Sequence, residues 1–325
     1  MNKKNALPLI LIVMMLMLFF FENNSFRSFF SSKKAPGNNI RKIAMEIRQK
    51  AENGNIQAQS DLGVLYEQGN DVEKDYVKAF YWYKKSAMHG YDVAQYNVGS
   101  AYENGRGVQR DLQKAIEWYS KSAEQGNTKS QVNLGMLYLD NIGVVRDYDQ
   151  ARHWFLLAAS NNDTIAMNNL GYMYRSGLGI PKDDSEAIKW YQKSANLGSM
   201  KARNMLALYY TQEIGNFPED IQKAHKLLKA SACQGYSIAQ NNLGILYSNF
   251  PVPSRENYLL AYAWFATASA NGLKEARENQ DKIAIKMSNQ EIDKARKLAS
   301  EFVEKYQSSV VENDTYKSKS ECKYP

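Results

Sequence analysis

Apolar residues return along this chain at two kinds of spacing, and together they predict pairs of amphipathic helices. Ala58, Leu62 and Tyr66 lie four apart and form one stripe on a helix. Ala79, the pair Trp82-Tyr83, and Ala87 form a second stripe after a polar stretch. Thirty-six residues on, the same letters recur as Ala94, Val98-Gly99, Tyr102, Ala115, Trp118-Tyr119 and Ala123. They recur again as Leu134-Gly135, Tyr138, Ala151, Trp154-Phe155 and Ala159, then as Ala166, Leu170-Gly171, Tyr174, Ala187, Trp190-Tyr191 and Ala195. A fifth copy keeps Ala202, Leu206, Tyr210 and Ala224, and a sixth keeps Ala239, Leu243-Gly244, Tyr247, Ala261 and Trp264-Phe265. Two stripes of this kind bury each other in a helical hairpin, and the remaining faces bury against the next hairpin, so the expected fold is an all-α solenoid.

The polar and small positions fit the same reading. Asp75, Asp111, Asp147 and Asp183 precede the second helices, where a carboxylate can accept from free backbone amides. Gly69, Gly105 and Gly177 follow the first helices at a position that favours left-handed backbone. Glycine inside a helix costs about 1 kcal/mol relative to alanine, so the glycine of Leu62-Gly63 and its equivalents marks a crowded contact. Ile43 to Gly54 matches a second helix alone, which starts the array on a half repeat. Ala276 opens a last first-helix match, and Ser288-Asn289-Gln290-Glu291 has the form of a capping box before a final helix reaching about Tyr306.

In this order and spacing the residues resemble the Sel-one-like repeat, a tetratricopeptide-like family, over residues 40–306. The pattern is nearly complete in Ala94–Gly126, with Gly105-Arg106-Gly107-Val108, Asp111, Lys114-Ala115 and Trp118-Tyr119 in place. The fifth repeat departs from it, with Leu227-Leu228 replacing the aromatic pair, and the sixth carries a Pro251/Pro253 loop. The resemblance implies a right-handed α/α superhelical solenoid whose members act as adaptors in protein complexes, often in bacterial envelope or host-interaction settings. Relatives linked with β-lactam hydrolysis carry a cysteine pair in each repeat, and this chain has no such pairs.

Ala6–Phe21 adds an apolar N-terminal helix to the expected fold. It is slightly long for a signal core and slightly short for the ~20 residues of a spanning helix. With no small-x-small site after it, the segment is expected to be an uncleaved anchor, a cleaved signal being the alternative. Lys3 and Lys4 lie closer to it than Arg27, Lys33 and Lys34. That arrangement favours an N-terminus inside and a solenoid outside the cytoplasm, periplasmic if the cell is bacterial. The expected division is therefore an anchor or signal at 1–21, a linker at 22–37, the solenoid at 38–306 and a disordered tail at 307–325.

Charge removes one class of partner. Of the formal net charge of +7, the first 37 residues contribute +4 from five cations and Glu22, so the remainder lacks the basic face of a nucleic-acid binder. Cys233 and Cys322, one in a helix pattern and one in a polar tail, make a disulfide framework improbable. His89, His153 and His225 are isolated from each other and from cysteines or clustered carboxylates at metal-ligand spacing, and the Gly-x-Gly turns follow helices without the Lys-Ser/Thr of a phosphate loop. No catalytic residue, metal, cofactor or small-molecule substrate is expected.

What varies between repeats points to recognition. On tetratricopeptide-like hairpins the first helix lines the concave surface, and residues two before, two after and five after its leucine face away from the packed stripe. The candidate partner-binding positions are Tyr96, Val132, Met136, Leu139, Asn168, Tyr172, Arg175, Asn204 and Asn241, apolar at the centre and amide-bearing toward the C-terminus. They suit an extended peptide or a helix laid in a groove. The asparagine just before Leu-Gly recurs between repeats, which suits a hydrogen bond joining them better than ligand selection. The expected function is a membrane-anchored protein–protein interaction scaffold, touching the membrane through Ala6–Phe21 and a protein or peptide through its groove. The alternative is a secreted repeat protein that binds a host or cell-envelope component.

Overall fold

The thirty-six-residue period folds as a succession of helical hairpins. The computed structural model describes residues 37–140, 143–211, 219–249 and 254–306. These residues form helices α1 (Gly37–Glu52), α2 (Ile56–Gln68), α3 (Tyr76–Ala87), α4 (Asp92–Asn104) and α5 (Leu112–Glu124). They continue as α6 (Thr128–Leu139), α7 (Tyr148–Ser160), α8 (Thr164–Ser176), α9 (Asp184–Asn196) and α10 (Met200–Tyr210). The last are α11 (Ile221–Cys233), α12 (Ser237–Ser248), α13 (Arg255–Ala270), α14 (Glu275–Ala284) and α15 (Asn289–Lys305), and no strand occurs among the described residues. Two compact units divide the chain, the first ending at Gln125 and the second beginning at Gly126. Within the first, α2 pairs with α3 and α4 with α5; within the second, α6 pairs with α7, α8 with α9, α10 with α11 and α12 with α13.

The caps follow the sequence. Asp75, Asp111, Asp147 and Asp183 accept from backbone amides at the starts of α3, α5, α7 and α9. Gly69, Gly105 and Gly177 close α2, α4 and α8 in left-handed backbone. Ser288 and Glu291 form the capping box that opens α15. At Gly107 a side chain would be excluded twice over: φ is +72°, and a Cβ would strike the Tyr76 carbonyl.

The glycine after each first-helix leucine makes room for an aromatic ring. A Cβ at Gly99 would lie 2.7 Å from the Tyr119 ring, and one at Gly171 would lie 2.7 Å from Tyr191. Gly63, Gly135 and Gly244 stand in the same relation to Tyr83, Phe155 and Phe265. In the fifth repeat both partners change together: Ala207 replaces the glycine, and the buried Leu228 replaces the ring. The missing ring volume is what admits the methyl group.

Side chains tie four of the hairpins together. Ser86, Ser122, Ser194 and Ser231, near the ends of second helices, donate to carbonyls at the first residue of their own first helix: Ile56, Asp92, Thr164 and Met200. Gln59, Gln95 and Gln240 donate to carbonyls of the preceding second helix, at Ala51, Ala87 and Ala232. The Gln95 oxygen in turn accepts from Gln125 at 2.7 Å, and that of Gln240 accepts from Asn271 at 2.8 Å. The buried Gln59 oxygen has no hydrogen-bond partner, and His89 stands thirty-six residues before Gln125. His89→Gln is therefore expected to raise stability by about 1 kcal/mol in urea denaturation. An unchanged or lower midpoint would show that position 89 does not reach Gln59.

At the C-terminal end, α15 folds back on α13. Trp264 meets Phe302 and Tyr306 at ring separations of 4.6 and 5.3 Å, and Gln240 and Asn271 both donate to the Tyr306 carbonyl.

One expectation needs correction. The described helices run from 10 to 17 residues, against the ~20 apolar residues of a span, and none is long and apolar enough to cross a membrane. The segment Ala6–Phe21 itself lies outside the described residues. Among the described residues the fold is an all-α solenoid of helical hairpins, with no helix of membrane-spanning length. It gives no support to a membrane anchor, to the membrane as a partner or to a membrane location. Cys233, at the end of α11, is disulfide-bonded, and Cys322, the chain's only other cysteine, lies outside the described residues.

Candidate interaction surface

Residues four and seven apart on a helix share a face, so each first helix presents one stripe of variable side chains. Met136 on α6 and Tyr172 on α8 are the exposed members of that stripe in the second unit, at 37% and 45%. Val132 and Leu139 flank Met136 but are buried, packed in a cluster with Phe155, Met167 and Met173. Tyr96 on α4, in the first unit, is half-buried with its ring 5.7 Å from that of Tyr119.

The asparagines join neighbouring first helices. Asn242 donates to Asn204 at 2.9 Å, Asn279 donates to Asn241 at 3.0 Å, and Asn168 donates to Ser199 at 3.0 Å. For Asn242, the asparagine before Leu243-Gly244, the partner is the asparagine two before the leucine of the preceding first helix, and Asn204 is buried.

The position five after the leucine answers to the second-helix ring. Tyr83 donates to Glu67 at 2.7 Å, Tyr119 donates to Glu103 at 2.6 Å, and the Arg175 cation acts on the Tyr191 hydroxyl. Burial pushes the Tyr191 hydroxyl up to about 12, with Arg175 opposing the shift. Where the ring is Phe155 and has no hydroxyl, the same position is Leu139, and apolar meets apolar. Variation at this position, Arg175 included, thus follows an internal partner visible in the sequence as the Tyr or Phe sixteen residues later.

The residue just before the Leu-Gly or Val-Gly pair is Asn97, Asn133, Asn169 and Asn242 in four repeats and Asp61 in the first. Burial pushes the Asp61 carboxyl up to about 6.

A shallow polar cleft, open to solvent, lies in the first unit and is lined by Glu67, Tyr76, Phe80, Tyr83, Asn97 and Arg106. Glu67 and Arg106 neutralise each other across it at 3.2 Å. Among the described residues, no group of histidine, cysteine and carboxylate side chains could hold a metal ion. The arrangement offers side chains for contact rather than groups poised for proton or electron transfer.

The family model of the Sel1 repeat matches six times, at residues 56–91, 92–127, 128–163, 164–199, 201–236 and 237–273. Among solved structures, the chain is similar to a protective antigen present in uropathogenic Escherichia coli strains displaying an SLR fold, at 29% identity and TM-score 0.56. That match covers 81% of this chain and 64% of the antigen, so the chain spans under two thirds of the antigen's length. It is also similar to a Sel1 repeat protein from Oxalobacter formigenes, at 29% identity and TM-score 0.58, covering 67% of this chain and 96% of that one. Among curated proteins none matches.

Proposed function

Because the chain belongs to the Sel1 repeat family, we propose that it is a secreted, non-catalytic scaffold that binds a host or cell-envelope component. The observation that carries this reading is the succession of hairpins whose first helices hold Met136 and Tyr172 exposed on rigid, hydrogen-bonded supports. A large aromatic and a flexible methionine on a fixed backbone are suited to anchoring a partner. The Cys233 disulfide supports a location outside the reducing cytoplasm, since disulfides persist in oxidising compartments. The description of the E. coli relative as a protective antigen agrees with an exposed role.

Two measurements test the reading. The purified chain should bind isolated envelopes or host-cell surfaces saturably, and Met136→Asp with Tyr172→Asp should weaken that binding at least tenfold while leaving the thermal melt in place. Unchanged binding by the folded double variant would remove the first-helix face as the site. For the compartment, the native protein recovered outside the cell should take up no alkylating reagent until it is reduced, and then two equivalents by mass. Two reactive thiols before reduction would sink the oxidised, secreted form.

A further inference from the structure

We propose that the outer face of α1 and α3 is a second docking surface, fitted to an acidic amphipathic helix of a partner protein. On α3 and its C-cap, Val77, Tyr81 and Met88 are 66%, 58% and 72% exposed. Their spacing of four and seven aligns them in one stripe along the helix. Met45 on α1, 72% exposed, lies thirty-six residues before Tyr81 and so occupies the same place in its half repeat. The fold does not require apolar residues here, because α5 and its end carry Gln113, Glu117 and Glu124 at the positions of Val77, Tyr81 and Met88. Contiguous exposed apolar side chains of this size mark interaction sites.

Charge selects the partner. Lys84 and Lys85 border the stripe, their ammonium groups held 5.9 Å over Phe80 and 5.1 Å over Trp82. Between Tyr76 and Ala87 α3 carries lysines and no carboxylate, and Asp75 at its start is paired with Lys78 at 3.2 Å. On α1, Glu46 follows Met45, and Glu52 is paired with Arg48 at 2.9 Å. An apolar ridge edged by lysines is complementary to an apolar ridge edged by carboxylates. A helix laid along α3 would meet Val77, Tyr81 and Met88 with its own residues at i, i+4 and i+11. Val77, Tyr81 and Met88 lie in the first unit, and Met136 and Tyr172 in the second.

The test uses the full chain and a labelled synthetic helical peptide with leucine at i, i+4, i+7 and i+11 flanked by glutamates, read by fluorescence anisotropy. Its counterpart with lysines for glutamates is the control. The acidic peptide should bind at least tenfold more tightly than the basic one. Val77→Asp with Tyr81→Asp, and separately Lys84→Glu with Lys85→Glu, should each weaken it at least tenfold with the thermal melt unchanged, while Met136→Asp with Tyr172→Asp should not. Equal binding of both peptides, or indifference to the α3 substitutions, would overturn the proposal. So would phosphatidylglycerol vesicles outcompeting the peptide at these residues, or a concentration-dependent dimer that Tyr81→Asp abolishes. Those outcomes would assign the face to lipid or to a second copy.

Discussion

Gly171→Ala is expected to destabilise the second unit by about 2 kcal/mol, and Tyr191→Leu added to it is expected to restore part of that loss. The Cβ would sit 2.7 to 2.9 Å from three atoms of a Tyr191 ring that is 2% exposed. The ring packs in a buried cluster with Leu206 and Tyr209, which leaves it little room to shift. Overpacking of this kind costs about 1–3 kcal/mol, while replacing a helical glycine by alanine gains about 1 kcal/mol, so strain outweighs propensity. Tyr191→Leu alone opens a gap, at about 2–4 kcal/mol. Together the two changes reproduce Ala207 and Leu228 of the fifth repeat, and their combined cost should fall short of the sum by at least about 1 kcal/mol. A double-mutant cycle in urea decides it. Strictly additive values would mean that ring and methyl do not compete for one space.

Asp61→Asn should stabilise the first unit at pH 7 and do nothing at pH 4. Burial disfavours the Asp61 charge and lifts its carboxyl from an ordinary 3.8 to about 6 in the folded chain. A raised folded value means that the favourable, protonated contribution is complete below about pH 4, fades as pH rises, and is gone above about 6. A tenfold change in proton affinity corresponds to about 1.4 kcal/mol, so at neutral pH the charged form costs on the order of 1–3 kcal/mol. Asparagine, already used in four other repeats, has no charge to desolvate. Thermal melts of both proteins at pH 4, 5, 6 and 7 should diverge across that interval. Parallel curves would exclude Asp61 as the titrating group.

Much of this architecture is legible in the letters alone, because a helix face is set by spacing and spacing is written in the chain. The aspartate caps and the αL glycines after α2, α4 and α8 can each be read at a distance of a few residues. What crosses between helices is harder to see. Leu139 looks like a groove residue until Phe155 is found beside it, and Asn204 looks exposed until Asn242 arrives from the next first helix. Periodicity says which residues share a face, and only packing says what lies across from them. The disulfide at Cys233 is invisible for the same reason, as nothing local to α11 announces a distant sulfur. The Val77–Tyr81–Met88 stripe lies on a second helix, outside the first-helix face where variation between repeats is most conspicuous. It emerges only when α3 is compared with α5 letter by letter.

A stack of identical hairpins has no natural end: the face that receives the next repeat of the same chain would receive a repeat of another molecule as readily. Here that face is taken by α15, whose Phe302, with Tyr306 just beyond it, covers Trp264, and the Tyr306 carbonyl accepts from Gln240 and Asn271. α15 therefore covers the apolar face that a further repeat would otherwise bury. Chains shortened before Asn289 should grow into filaments, visible by electron microscopy, rather than simply lose their last residues.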